Sequence, residues 1–206
     1  TFIVHLKQTQ NYIKKSFRFA FLLLFPLAFV ISASSQELLA LVYGLDYSFA
    51  GSLALSALVF AASFYSLFLL MTTLLSASGN PVKSFIISLI VLIFVFLTGF
   101  YLIPLHGIFG MAIAMFVSLL VGCLIAGFSI LKKFRVLFDA VALLKILVVS
   151  IILYVISRLI PFTGFWLVLE YFILFIVALI LLFLIKELTL QDILLIKKMC
   201  NFKKIL

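Results

Sequence analysis

The chain has 206 residues, of which 67% are hydrophobic and 10% are charged, and its mean hydropathy is +1.47. Soluble domains carry about a quarter of charged residues, so this composition excludes a soluble globular protein and predicts an integral membrane protein. The formal net charge is +9. Because the basic residues form short clusters between apolar spans, we interpret this charge as a membrane-orientation signal and predict no nucleic-acid binding.

Residue types that could carry catalysis or bind a metal are few and scattered. Cys123 lies inside an apolar span and Cys200 lies in the basic tail, so we expect two free thiols at different depths. His5 and His106 are isolated. The sequence contains no paired carboxylates, no glycine-rich phosphate loop and no Ser/His/Asp set. We therefore predict no metal, no cofactor and no enzymatic activity.

The first 18 residues form a polar, basic cytoplasmic segment that starts at Thr1 and reads as the continuation of a longer reading frame. The first membrane span is predicted at 19–34, and Pro26 within it removes one backbone hydrogen bond. The basic residues, the apolar run and the sequence SASSQ also fit a secretory signal with a small-residue cleavage site. We disfavour that alternative because the basic residues are preceded by a long polar stretch and nothing downstream looks secreted.

The second span is predicted at 53–77, after a segment at 35–52 that contains two acidic and no basic residues and is expected at the membrane interface. Four hydroxyl side chains project into one arc of about 100° on the second span: Ser56, Ser63, Ser66 and Thr73. Two interpretations stay open. They form helix–helix hydrogen bonds, which we favour, or they line a substrate path.

The third and fourth spans are predicted at 85–103 and 108–130, separated by a break at Pro104 and Gly107. After the break every fourth residue is small: Gly110, Ala114, Ser118, Gly122 and Ala126. Residues four apart drift by only about 40° around a helix, so these positions trace one groove. In lipid, helices associate through such close backbone approach. We therefore predict a closely packed helix, with Pro26, Pro104 and Gly107 as hinge positions.

The fifth and sixth spans are predicted at 140–160 and 164–186, joined by a short turn. Arg158 lies at the outer end of the fifth span and Glu170 lies inside the sixth. Ionisable groups within a bilayer are functional candidates, and these two could pair across an antiparallel hairpin. We favour a structural ion pair over a proton or substrate site. Residues 187–206 are predicted to form a basic amphipathic helix on the cytoplasmic membrane surface.

The distribution of lysine and arginine between alternate loops fixes the predicted orientation. Fourteen of the fifteen basic residues fall on one side: Lys7, Lys14, Lys15, Arg18, Lys83, Lys132, Lys133, Arg135, Lys145, Lys186, Lys197, Lys198, Lys203 and Lys204. The other side has only Arg158. This asymmetry predicts six spans across a plasma membrane, with both ends in the cytoplasm.

Three passages resemble the C-terminal part of polysaccharide flippases of the MOP superfamily, which also contains lipid II flippases and MATE exporters. The first joins a Pro-containing span to a turn built on Tyr43, Gly44 and Tyr47, and the second is the turn at 77–81. The third is LIPLHGIFGMAIA, in which eight positions match: Leu102, Ile103, Pro104, Gly107, Ile108, Gly110, Ile113 and Ala114. Met111 and Ala112 stand where two alanines are commoner in the family.

The resemblance implies an all-α membrane lobe of six transmembrane helices, which is one of two lobes enclosing a central cavity. It also implies translocation of lipid-linked oligosaccharide or polysaccharide repeat units by alternating access, within membrane lipid. Such a substrate carries pyrophosphate, which calls for Arg or Lys near the midplane. This sequence does not provide them, so an N-terminal lobe of the same polypeptide is the expected source.

Two alternatives are kept beside the flippase hypothesis. A MATE-type exporter of small cationic compounds would need an intramembrane carboxylate facing its cavity, and Glu170 is the candidate. A non-transporting membrane scaffold of a glycan-assembly complex would act through the basic tail. Deleting 188–206 separates the scaffold, which should fail, from a transporter, which should only weaken.

Overall fold

The computed structural model describes residues 2–135, 140–159, 164 and 166–184. The described residues form six α-helices and no strand: α1 Phe2–Ala33, α2 Ser35–Tyr43, α3 Leu45–Ala77, α4 Pro81–Phe134, α5 Ala140–Leu159 and α6 Trp166–Leu184. This confirms the predicted all-α class in the described part of the chain. The tail predicted to be amphipathic at 187–206 lies outside the described residues.

Helix α1 is 32 residues long, or roughly 48 Å at 1.5 Å per residue, so it exceeds the ~30 Å core of a bilayer. The predicted basic segment at 1–18 therefore continues into the first span as one helix. Ile13, Phe17, Phe21 and Phe25 are buried, and their four-residue spacing forms one stripe along the helix. This stripe fixes α1 at the centre of the bundle, where α1 packs against α3 and α5.

Helices α2 and α3 are separated at Gly44, whose φ of 91° and ψ of 170° end one helix and start the next. Helix α3 begins at Leu45, eight residues before the predicted start of the second span at 53. The predicted start lies at 53 because the hydropathy of the sequence reaches that of a membrane span only there. Asp46 in the first turn of α3 favours a helix start further upstream because a carboxylate stabilises a helix N-terminus.

Helix α4 is a hairpin of two antiparallel arms, residues 81–106 and 108–134. Gly107 has the non-helical angles φ 58° and ψ −133°, and the Thr98 and Ser118 hydroxyl oxygens lie 3.2 Å apart. In a straight helix these two residues would be about 30 Å apart. Five of the helices in the described part of the chain are long and apolar enough to cross a membrane. The reversal at Gly107 divides the longest of them into two arms, each long enough to cross.

The helices form a continuous layer in which each packs mainly on its neighbours. Both arms of α4 pack on α3, α3 packs on α1 and α2, and α1 packs on α5 and α6. Side-chain to backbone hydrogen bonds join neighbouring elements. For example, the Ser84 hydroxyl at the start of α4 donates to the Thr72 carbonyl of α3 at 3.0 Å.

One end of the bundle, which we call the basic end, brings together the ends of α1, α3 and α4. Gln10 Nε2 donates to the Phe134 carbonyl at 2.8 Å, and Lys133 Nζ donates to Ser78 Oγ at 2.9 Å. The cations with described side chains at or near this end include the following: Lys14, Lys15, Arg18, Lys83, Lys132, Lys133 and Arg135. The opposite, acidic end carries all three carboxylates whose side chains are described, namely Glu37, Asp46 and Glu170, with Arg158.

Candidate functional site

Buried polar side chains from the junction of α1 and α2, from α5 and from α6 converge at the acidic end. Ser34 is 3% exposed, and Ser157 and Glu170 are each 4% exposed. Polar groups buried to this degree need hydrogen-bond partners, because desolvation without a partner is costly. Hydrogen bonds within the cluster therefore fix the positions of these side chains, and the same bonds hold the three helices together at this end.

Two side-chain hydrogen bonds cross between helices in this cluster. Ser157 Oγ on α5 donates to Glu170 Oε1 on α6 at 2.7 Å, and Ser34 Oγ lies 2.8 Å from the Tyr171 hydroxyl oxygen. Since Ser34 Oγ also donates to the Val30 carbonyl at 3.1 Å, Tyr171 is the donor to Ser34. The result links α6 to both α5 and the C-terminus of α1.

Arg158 binds the end of α1. Its Nη1 donates to the carbonyl of Ala33, the last residue of that helix, at 3.3 Å. Carbonyls in the last turn of a helix have no intrahelical donor and carry partial negative charge. A guanidinium is therefore well suited to this position, where it satisfies one of them.

Two polar cavities lie beside these contacts. One of about 220 Å³ is lined by Ser34, Ser157 and Arg158 together with Gln36 and Glu37. A second of about 440 Å³ shares Gln36 and Glu37 and extends along α2 to Gly164. The Glu37 Oε2 atom is buried with no hydrogen-bond partner among the described residues. The cavities therefore offer both a cation and a hydrogen-bond acceptor to a small polar ligand or to water.

The sequence predicts an ion pair between Arg158 and Glu170. In the structure each of them forms a hydrogen bond to a different member of this cluster. Glu170 accepts from Ser157, the residue that precedes Arg158, and Arg158 binds Ala33. A direct pair between the two stays a prediction. Sequence reasoning missed Ser34, Ser157 and Tyr171, although Ser157 and Tyr171 directly adjoin the two charged residues in sequence and could have been noticed for that reason.

The four hydroxyls of α3 make mainly local hydrogen bonds. Ser63, Ser66 and Thr73 donate to carbonyls three or four residues earlier in their own helix. Ser56 also donates to Ser35 Oγ on α2 at 3.0 Å. None of the four lines the two polar cavities, and their role in a substrate path stays a prediction.

The small residues of the second arm of α4 lie in its buried seam. The whole set is buried: Gly110, Ala114, Ser118, Gly122 and Ala126. A Cβ at Gly122 would lie 2.5 Å from Val91 of the first arm and 3.2 Å from Phe68 of α3, and a Cβ at Gly110 would overlap the Leu102 carbonyl. These glycines therefore allow three helices to approach closely.

The prolines predicted as hinges occupy different environments. Pro104 lies in the last turn of the first arm, three residues before the reversal at Gly107. Pro26 lies inside α1 and lines a small apolar cavity with Leu153 and Tyr171. Both are positions where a backbone hydrogen bond is missing from a helix. Hinge motion at either position stays a prediction.

Comparison with known proteins gives a structural match and no sequence match. No family model matches the chain, and no curated protein matches it. Among solved structures, the chain is similar to the lipid II flippase MurJ in an inward closed conformation, with a TM-score of 0.73 and 20% sequence identity. The match covers 85% of this chain and 39% of that chain, so the chain spans about two fifths of the neighbour's length. The chain is therefore a multi-pass membrane protein whose fold is similar to that of a lipid II flippase.

Proposed function

We propose that this chain is one lobe of a plasma-membrane flippase that translocates lipid-linked oligosaccharide or polysaccharide repeat units by alternating access. The observation that carries the proposal is the fold, since 85% of the chain matches a lipid II flippase. The match leaves most of that flippase uncovered. We infer that a second lobe of the same polypeptide completes the transporter and supplies the cations that a pyrophosphate group requires.

The packing of the helices supports a lobe that moves largely as a unit. The hairpin of α4 is tied to α3 through the glycine seam and to α1 through the bond between Gln10 and Phe134. At the acidic end, α5 and α6 are joined to each other and to α1 by the few hydrogen bonds of Ser34, Ser157 and Arg158. We infer that these bonds and the α3–α4 seam keep the lobe together when the transporter changes conformation.

We predict that the protein, expressed from its own gene and purified, flips a lipid-linked oligosaccharide. The protein is reconstituted in liposomes that contain a fluorescent lipid-linked oligosaccharide. Because flipping equilibrates the labelled lipid between leaflets, label from the inner leaflet should become accessible to an external reductant. The measurement is the fraction of fluorescence protected from the reductant. A labelled phosphatidylcholine of matched chain length is the control and should stay protected. Protection of both lipids would contradict the flippase proposal.

The burial of Glu170 favours a second candidate function, that of a MATE-type exporter, because Glu170 is a buried carboxylate within a membrane helix. We predict that Glu170→Gln leaves flipping unchanged, since the amide oxygen can still accept the hydrogen bond from Ser157 and only the charge is lost. Glu37→Gln is the matched control on the neighbouring cavity. If Glu170→Gln instead abolishes proton-coupled efflux of a cationic dye while the unfolding temperature is retained, the exporter replaces the flippase.

A further inference from the structure

A large apolar groove opens on the surface of the bundle, near the basic end. It has a volume of about 590 Å³, which falls within the range typical of ligand pockets. Helices α4 and α5 do not pack closely on each other, and they form its two walls while α1 and α3 form its floor. Representative lining side chains are Phe21 and Phe25 of α1, Met71 of α3, Phe128 of α4, and Leu143 and Leu147 of α5.

The depth of the groove matches one leaflet of a bilayer. Its wall on α4 runs from Leu120 to Leu131, and the ends of this twelve-residue stretch lie roughly 16 Å apart at a rise of 1.5 Å per residue. Half of a hydrocarbon core of about 30 Å is close to this value. Leu124 and Phe128 on that wall are 65% and 70% exposed, so the groove is open to lipid along its side. An acyl chain of one leaflet fits this depth, whereas a long polyprenyl chain would extend beyond it.

Cations flank the mouth of the groove at the basic end. Lys132 follows the lining residue Phe128 by one helical turn, and Lys14 precedes the lining residue Phe21 by two turns on the same face of α1. The hydrogen bond from Gln10 to the Phe134 carbonyl holds these two helix ends together. Lys14 and Lys132 are both exposed. Lys133, by contrast, is directed to Ser78 of α3.

We propose that this groove binds an anionic glycerophospholipid, with one acyl chain between α4 and α5 and the phosphate at Lys14 and Lys132. Charge complementarity argues for this occupant over a protein segment, since basic pockets between helices at a cytoplasmic membrane face recognise anionic head groups. The groove lies at the opposite end of the bundle from the polar cavities of Ser34 and Glu37. This lipid site is therefore separate from the cluster at the acidic end and does not depend on the transported cargo.

A tryptophan placed in the groove tests the proposal. Trp166 is the single tryptophan of the chain, so Trp166→Phe with Leu124→Trp leaves one reporter. Leu92→Trp in the same background is a matched control, because Leu92 is also 65% exposed but lines a different groove between α3 and α4. The measurement is quenching by phospholipids brominated on their acyl chains, comparing phosphatidylglycerol with phosphatidylcholine in bilayers of otherwise equal composition.

We expect the reporter at 124 to be quenched at a lower mole fraction of brominated phosphatidylglycerol than of phosphatidylcholine, and the reporter at 92 to show no preference. Lys14→Gln and Lys132→Gln should each reduce the preference by about fivefold, the contribution of one lysine near an anionic surface. Lys83→Gln, which removes a cation at the same end away from the groove, should leave the preference unchanged.

Three results would overturn the proposal. Equal quenching by the two lipids at 124 removes the head-group site, and absence of quenching by either shows that protein covers the groove. Displacement of brominated phosphatidylglycerol by polyprenyl phosphate at a lower concentration than by phosphatidylglycerol assigns the groove to a different lipid. Native mass spectrometry of the unmodified protein gives an independent readout: retention of phosphatidylglycerol over phosphatidylcholine supports the site, and equal retention contradicts it.

Discussion

Replacing Gly110 with alanine should lower the free energy of unfolding by about 3 kcal/mol, the upper end of the usual cost of overpacking. The added Cβ would overlap the backbone carbonyl of Leu102, which belongs to the first arm of α4. A flexible side chain could move aside, but a backbone carbonyl in the turn around Gly107 cannot move without shifting the two arms. The measurement is the thermal unfolding of the purified protein in detergent, where this loss corresponds to roughly 6–12 °C for a chain of this size.

Gly99→Ala is the matched control for this substitution. Gly99 is also a buried glycine in α4, but a Cβ there would meet Met111 Sδ at 3.4 Å and Ile103 Cδ1 at 3.8 Å, both side-chain atoms at ordinary contact distances. Alanine is a better helix former than glycine by about 1 kcal/mol, so the Gly99 variant should unfold at the same or a higher temperature than the original protein. Equal unfolding temperatures for the two variants would contradict the importance of close approach at Gly110.

The sequence predicts the features that depend on one stretch of chain. Hydropathy predicts the apolar helices because each needs a run of apolar residues long enough to cross a bilayer. Gly107 can be singled out because a left-handed φ next to Pro104 suits glycine and ends a helix. The resemblance carried by three passages together predicts a flippase-type membrane fold, and the structural match to the lipid II flippase supports that fold.

The features that sequence did not predict depend on contacts between distant helices. The bond between Ser34 and Tyr171 joins residues 137 positions apart, and no local pattern marks either as a partner of the other. Arg158 and Glu170 attract attention because charge is rare in a membrane, whereas the uncharged Ser157 that binds Glu170 is marked only by its position beside Arg158. The groove between α4 and α5 is equally invisible in sequence, because its lining side chains are the same leucines and phenylalanines that cover every other membrane-facing surface.

Replacing Pro26 with alanine should make the protein more stable and less active. Proline inside a helix removes the hydrogen bond to the carbonyl four residues earlier, here Leu22, and is less favourable than alanine by about 3 kcal/mol. Alanine restores that hydrogen bond, so the unfolding temperature should rise. If bending of α1 at Pro26 accompanies alternating access, a straight, fully bonded helix should slow flipping severalfold in the liposome assay.

Pro81→Ala separates a hinge from a general effect of losing a proline. Pro81 is at the first position of α4, where a helix has no partner for the backbone N–H and proline is well tolerated. This variant should change neither the unfolding temperature nor the flipping rate. A Pro26 variant that is stabilised but flips at the original rate would show that the missing hydrogen bond does not serve as a hinge. Unchanged stability would instead show that packing of the proline ring beside the small apolar cavity, which Tyr171 and Leu153 also line, offsets the lost bond.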